Sequence, residues 1–197
     1  MFKIALDLDD VLVSANDIII ETFKEHGKTK RTALKYMKNW GLPGAPSEIV
    51  VSVKEKFKNP KDSCDPNRIY SDSQEWVRRH KDEFELIVVT ARPESMAKDT
   101  KKFVKKYFGI DHVFVEPVSK TKTLLEQGVD FIIDDGHHNL APFLNFDTKT
   151  IPILLSNELT VYNHHIAKEM REKGLVVSCL SDVTKDYLMG LKGKKFS

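Results

Sequence analysis

The run Ile4-Ala5-Leu6-Asp7-Leu8-Asp9-Asp10-Val11-Leu12 constrains this chain more than any other stretch. Its apolar lead reads as a parallel strand buried on both faces. The run then passes directly into carboxylates. Asp7 and Asp9 lie two positions apart, so on an extended backbone their side chains point the same way. Two carboxylates facing one point repel unless a cation or a proton lies between them. In open α/β sheets, ligands bind in the crevice outside the carboxyl ends of the strands. The plain alternative is a strand end carrying solvated aspartates, and the rest of the chain argues against it.

Runs of the same kind recur. Leu86–Thr90, Val113–Val115, Phe131–Asp135, Ile151–Leu155 and Leu175–Val177 read as further strands. Between them the sequence predicts helices from Pro93 to Phe108, from Thr121 or Thr123 to Gly128, from about Asn163 to Lys173, and from Ser181 to Leu191. Strands alternating with helices imply an α/β fold, a Rossmann-like parallel sheet with helices on both faces. Between the first two strands, strand alternation is absent. Ser14 or Asn16 can cap a helix ending near Gly27, Ser47 begins one running to Phe57, and Ser71 with Gln74 fits a capping box for one reaching His80. The expected organisation is a core of residues 1–14 and 81–197, with a small all-helical cap, residues 15–80, inserted after the first strand. The last helix of that insert could belong to either unit.

The remaining composition excludes more than it suggests. With 197 residues, 41% of them hydrophobic, the chain can bury one substantial core. A formal net charge of +2 offers no global attraction to a nucleic acid polymer or a membrane surface. No apolar run approaches the roughly 20 residues of a membrane helix. The first apolar run lacks the features of a secretion signal, so a cytoplasmic location is expected. Cys64 and Cys179 make no disulfide framework, and the adjacent pairs His137-His138 and His164-His165 do not have zinc-site spacing.

Asp7, Asp9, Thr90, Asp134 and Asp135 all fall at the C-terminal ends of predicted strands, which gathers them along one sheet edge. Carboxylates without nearby His or Cys ligands suit a hard cation, and Mg²⁺ fits best. A threonine hydroxyl and a lysine at neighbouring strand ends complete a phosphate cradle. Phosphoryl transfer needs positioning and charge neutralisation of this kind.

These residues resemble a known family. Asp7-Leu8-Asp9-Asp10-Val11, Thr90-Ala91-Arg92, the lysines near position 120 and Ile132-Ile133-Asp134-Asp135 look like the four motifs of the haloacid dehalogenase (HAD) superfamily, in the same order. Val104–Gly109 and Ile133–Asn139 are similar to segments of the cytosolic and mitochondrial 5′(3′)-deoxyribonucleotidases. The resemblance implies Asp7 as nucleophile and Asp9 as general acid and base. It implies Thr90 and the N–H of Ala91 as phosphoryl contacts. Mg²⁺ would be held by Asp7, the Asp9 carbonyl and Asp134, with Asp135 acting through water. It favours Lys122 over Lys120 as the motif lysine. Many members have glycine at the position of Asp10, so that residue is either an extra acid or a tolerated variant. Arg92 either contacts substrate or is an exposed residue before Pro93.

In the insert, Phe23, Tyr36, Trp40 and Phe57 could stack on a nucleobase, Trp40 foremost because it lies in a Gly/Pro loop. The implied reaction is Mg²⁺-dependent hydrolysis of a (deoxy)ribonucleoside monophosphate through an aspartyl-phosphate. The alternatives are a phosphatase for another small phosphate ester and a non-catalytic binding module on the same fold. A homodimer is left open.

Overall fold

A computed structural model describes residues 1–38, 42–145 and 148–194 of the protein. Its centre is a six-stranded sheet, all parallel, made of β1 (Lys3–Leu6), β2 (Glu85–Thr90), β3 (Val113–Val115), β4 (Phe131–Asp134), β5 (Ile151–Leu155) and β6 (Val176–Val177). The spatial order is β3-β2-β1-β4-β5-β6. The chain therefore starts in the middle of the sheet, pairing Lys3 with Glu85 on one side and Ile4 with Phe131 on the other. The order changes direction at β1, which opens the crevice beside its carboxyl end. The strands are almost wholly buried, which is why they read as apolar runs without alternation. Pro152 sits within β5 without breaking it. The Ile151 N–H bonds to Asp130 on the β4 side, so position 152 faces the β6 side, where pairing begins only at Leu154.

Helices α1 (Asn16–Glu25), α2 (Lys30–Tyr36), α3 (Ser47–Phe57) and α4 (Pro60–Ser63) form the insert. Ile20, Phe23, Ala33, Met37, Leu42, Ile49 and Val53 build a hydrophobic cluster of their own there. Helix α5 (Ser71–His80) packs instead on the sheet, where Trp76 and Val77 join the main core. The chain enters and leaves the insert through two segments that lie side by side. Val13 pairs with Ile69, Ser14 N–H donates to Arg68 O at 2.8 Å, and Tyr70 N–H donates to Leu12 O at 3.1 Å.

Several helix starts differ from expectation. Ala15, not Ser14 or Asn16, occupies the N-cap of α1. The Asp10 carboxylate accepts the Asn16 N–H at 2.9 Å and so does the capping from outside the helix. Tyr70, not Ser71, precedes α5, and no side chain caps it. Helix α2 was hidden in a basic stretch; the Thr29 hydroxyl caps it by accepting the Thr32 N–H at 3.2 Å.

The core is completed by α6 (Ala97–Phe108), α7 (Thr121–Glu126), α8 (His137–Asn145), α9 (His164–Glu172) and α10 (Lys185–Lys192). Helix α8 was not expected, because Pro142 lies inside it and interior proline removes a helix hydrogen bond. Among the described residues, no helix is long and apolar enough to cross a membrane.

Candidate active site

Asp7 immediately follows β1, Thr90 ends β2 and Asp134 ends β4. Because these three strands are neighbours in parallel register, their ends meet at one place. Lys120, at the start of α7, reaches into it. Its ammonium lies 2.7 Å from Asp7 Oδ2 and 2.7 Å from Asp134 Oδ2, and its side chain is 2% exposed. Lys122 is elsewhere. It is 84% exposed and meets only Glu126, at 3.7 Å. The expected motif lysine is thus corrected from Lys122 to Lys120. The reason is helical periodicity: Lys120 shares a face with Leu124, which is fully buried, whereas Lys122 lies three residues before half-exposed Leu125.

Oxygen atoms of Asp7, Asp134 and Asp135 lie within 4.8 Å of one another, and all three residues are buried. Asp134 is held in place by its surroundings. Its Oδ1 accepts the Gly136 N–H at 2.7 Å and Asn139 Nδ2–H at 3.0 Å. A Cβ on Gly136 would stand 3.1 Å from that oxygen and 2.9 Å from the His138 ring, so a side chain there would displace His138 and crowd the Asp134 carboxylate. The Tyr162 hydroxyl donates to Asp135 Oδ2, and Asn163 Nδ2–H donates to the Asp135 carbonyl. Asp135 therefore points into the same cluster as the other two. Three hard carboxylate donors without sulfur or imidazole suit Mg²⁺. The Asp9 carboxylate stands outside this trio.

Burial pushes the Asp7 carboxyl up to about 7, with Asp134 and Asp9 adding to the rise and Lys120 opposing it. Burial also pushes Asp10 up to about 8, against the pull of the Asn16 N–H. Asp135 is raised well above the usual range, first by burial and then by Asp10, Asp134 and Asp7. Burial works against the Lys120 ammonium, but Asp134 and Asp7 outweigh it and keep it charged.

These shifts have a consequence for stability. Between the ordinary value of 3.8 and these raised values, the folded protein holds protons that the unfolded chain has released. Metal-free stability must then fall as pH rises from about 4 to about 8. In EDTA the melting temperature should be higher near pH 5 than near pH 8, and saturating Mg²⁺ should raise it more at the higher pH. A flat profile in EDTA would mean that the carboxylates ionise without penalty.

Asp10 has φ 57°, in the left-handed region. Glycine adopts that conformation freely, whereas an aspartate there is strained. Here the turn hydrogen bond from Asp10 N–H to Val13 O, 2.7 Å, and the bond to Asn16 offset the strain.

A cavity of about 370 Å³ lies between this cluster and the insert. Thr90, Ala91, Lys120, His138 and Tyr162 are among its core-side lining. On the insert side it is lined by Ile19, Met37, Leu42, Val50, Val53 and Phe57, with Lys54 alongside. Phe23 is not part of it. That ring is fully buried and packs on Tyr36 at 5.7 Å, so it is a core residue of the insert and not a substrate contact. Trp40 lies outside the described residues. Arg92 is neither exposed nor free. It is 4% exposed, and its guanidinium grips both Asp9 oxygens, at 2.9 and 2.7 Å.

Sequence reasoning missed Tyr162 and Asn163, and gave Asn139 no role. A usable signal existed for the first two: they follow the carboxyl end of β5, where loops converge on the same sheet edge.

Several solved structures share this architecture. A HAD hydrolase of family IA, variant 3, from Entamoeba histolytica superposes with TM-score 0.62 at 13% identity, covering 98% of this chain and 100% of its own. A phosphoserine phosphohydrolase-like protein from Francisella tularensis gives TM-score 0.59 at 14% identity, covering 97% of this chain and 99% of its own. The β-phosphoglucomutase of Clostridium difficile gives 0.55 at 11%, covering 98% of this chain and 97% of its own. This chain shares the fold of these proteins. At such identities the likeness establishes the fold alone, over nearly the whole length of each protein. No protein-family model and no curated protein matches the chain.

Proposed function

We propose that the protein is a Mg²⁺-dependent phosphatase of the HAD type, acting on nucleoside monophosphates. One observation carries the phosphatase reading: a lysine bridging two strand-end aspartates at 2.7 Å, at the floor of a cavity that also reaches Thr90. Asp7, Asp134 and Asp135 would hold Mg²⁺, which supplies charge neutralisation at the phosphoryl oxygens.

The chain's own residues would do the rest. An Asp7 carboxylate oxygen attacks phosphorus, forming an acyl phosphate as the bond to the ester oxygen breaks. Asp9 gives its proton to the departing alkoxide, then takes one from the water that attacks the aspartyl-phosphate, releasing inorganic phosphate and restoring Asp7. Thr90 Oγ and the Ala91 N–H donate to the phosphoryl oxygens, and Lys120 offsets their charge.

The nucleotide part of the proposal rests on the insert wall. Its apolar side chains and the half-buried Phe57 suit a flat, weakly polar leaving group, and Lys54 adds one cation. Phosphate release from nucleoside monophosphates, glycerol phosphate and p-nitrophenyl phosphate, each with Mg²⁺ and with EDTA, tests the whole. No release from any ester would overturn the phosphatase reading. Equal efficiency across the panel would overturn the nucleotide preference.

A sharper check is Phe57→Ala. A base stacked on an aromatic ring gains about 1–3 kcal/mol, so kcat/KM for a nucleotide should fall roughly 10- to 100-fold or more. Glycerol phosphate, which has no base, should be hydrolysed as before.

A further inference from the structure

Arg92 follows the threonine of β2 by two residues and faces a carboxylate that the cavity also reaches. Four of its five N–H donors are used: Nε to Asp9 Oδ2 at 2.9 Å, Nη2 to Asp9 Oδ1 and to Ser63 O, both at 2.7 Å, and Nη1 to Cys64 Sγ at 3.3 Å. Ser63 and Cys64 end α4, the last helix of the insert. One guanidinium thus joins a residue at the β1 strand end to the insert. A planar fork held on both carboxylate oxygens fixes the direction of the group as well as its place.

Arg92 also lines the cavity, but with this set of contacts it has only one N–H left to offer a phosphate. The Asp9 side chain remains 24% exposed and lines the cavity, so its carboxylate faces the substrate space while the fork holds it. Ser63 lies in α4, which packs on α3 of the insert, while the adjacent Cys64 packs on the main core, so this carbonyl stands at the junction of the two and a shift of α3 and α4 would pull on the arginine that holds Asp9.

We propose that Arg92 is a positioning residue that ties the Asp9 carboxylate to the Ser63–Cys64 end of the insert, so that Asp9 is correctly aimed only when the insert is seated on the sheet. The kinetic side of this rests on the phosphatase reading above; the mechanical side does not.

The test uses Arg92→Lys, which keeps the charge but loses the fork, alongside Arg92→Ala and Asp9→Asn. The mechanical arm is backbone amide exchange at residues 61–65 in the full chain. Exchange there should quicken at least several-fold in Arg92→Lys and in Asp9→Asn, since each breaks the tie from one end. Unchanged exchange in both overturns the proposal, whatever the enzyme hydrolyses.

The kinetic arm compares an alkyl ester, whose leaving oxygen needs a proton, with p-nitrophenyl phosphate, whose leaving group does not. General acid–base catalysis is worth about 10²–10⁴-fold, so Arg92→Ala should lower kcat on the alkyl ester by about tenfold or more beyond its effect on the aryl ester. Arg92→Lys should recover part of that loss. In an Asp9→Asn background, Arg92→Ala should add little, because a residue acting through Asp9 has nothing left to act on. A full additional loss in that background, or a rise in KM shared equally by both esters, would make Arg92 a substrate or packing residue and overturn the proposal. A wild type that hydrolyses neither ester but shows the exchange changes would remove the phosphatase reading and leave the tie standing.

Discussion

Asp7→Asn is expected to reduce phosphate release by several orders of magnitude while the protein remains folded. The amide keeps the shape of the carboxylate but has no charge with which to attack phosphorus. The environment makes the structural cost small. Asp7 Oδ1 accepts the Leu8 N–H at 2.7 Å and Oδ2 faces Lys120 at 2.7 Å. An amide can satisfy only one of these donors, and leaving the other unmet costs about 1–3 kcal/mol. Against this, the substitution removes a buried charge from a cluster in which Asp134 and Asp9 already disfavour it. Thermal unfolding in EDTA near pH 8 should therefore show a melting temperature close to that of the wild type. Near-normal turnover in this variant would move the chemistry away from the β1 strand end.

The second large effect is expected at Lys120. Lys120→Met keeps most of the side-chain volume and removes the only cation set between Asp7 and Asp134 among the described residues. Breaking a buried ion pair from one side costs roughly 3–5 kcal/mol. For a chain of this size that is on the order of 10 °C in melting temperature. The loss should be greatest in EDTA near pH 8 and smaller near pH 5, where Asp7 takes up a proton. Mg²⁺ should restore part of it by supplying positive charge to the same carboxylates. Lys122→Met, two residues away on the exposed face, should change neither melting temperature nor rate. Comparable losses for the two variants would contradict the arrangement described here.

The pair also shows where sequence reasoning stops. Parallel strands covered on both faces must be continuously apolar, so all six could be read directly, and aspartates and threonine at their ends inherit their position from the strand. A lysine at a helix start does not. Lys120 and Lys122 both precede Leu124 and Leu125, and one-turn periodicity assigns one lysine to the core only once it is known which leucine is buried. Arg92 presents the same difficulty in another form. Its partner Ser63 is a backbone carbonyl from a distant segment, and a carbonyl leaves no mark in a sequence. Phe23 was misplaced because an aromatic at helical spacing serves equally as a stacking platform or as a packing residue, and its contact with Tyr36 decides for packing.

The strand order has a consequence for how the chain assembles. β1, which leads into Asp7, precedes the other five strands in the chain yet lies inside the sheet, and its partners are β2 and β4. It stays unpaired on one side until residue 85 and on the other until residue 131 has been synthesised. At about 5–20 residues per second that second wait is on the order of ten seconds. Long-range parallel pairing is slow to form. The apolar residues Ile4–Leu6 of β1 are therefore open to mispairing for that time. Helices α1 to α4 have their own hydrophobic cluster and can form while β1 waits. The insert thus also sets β1 some eighty residues apart from the apolar run of β2 that pairs with it.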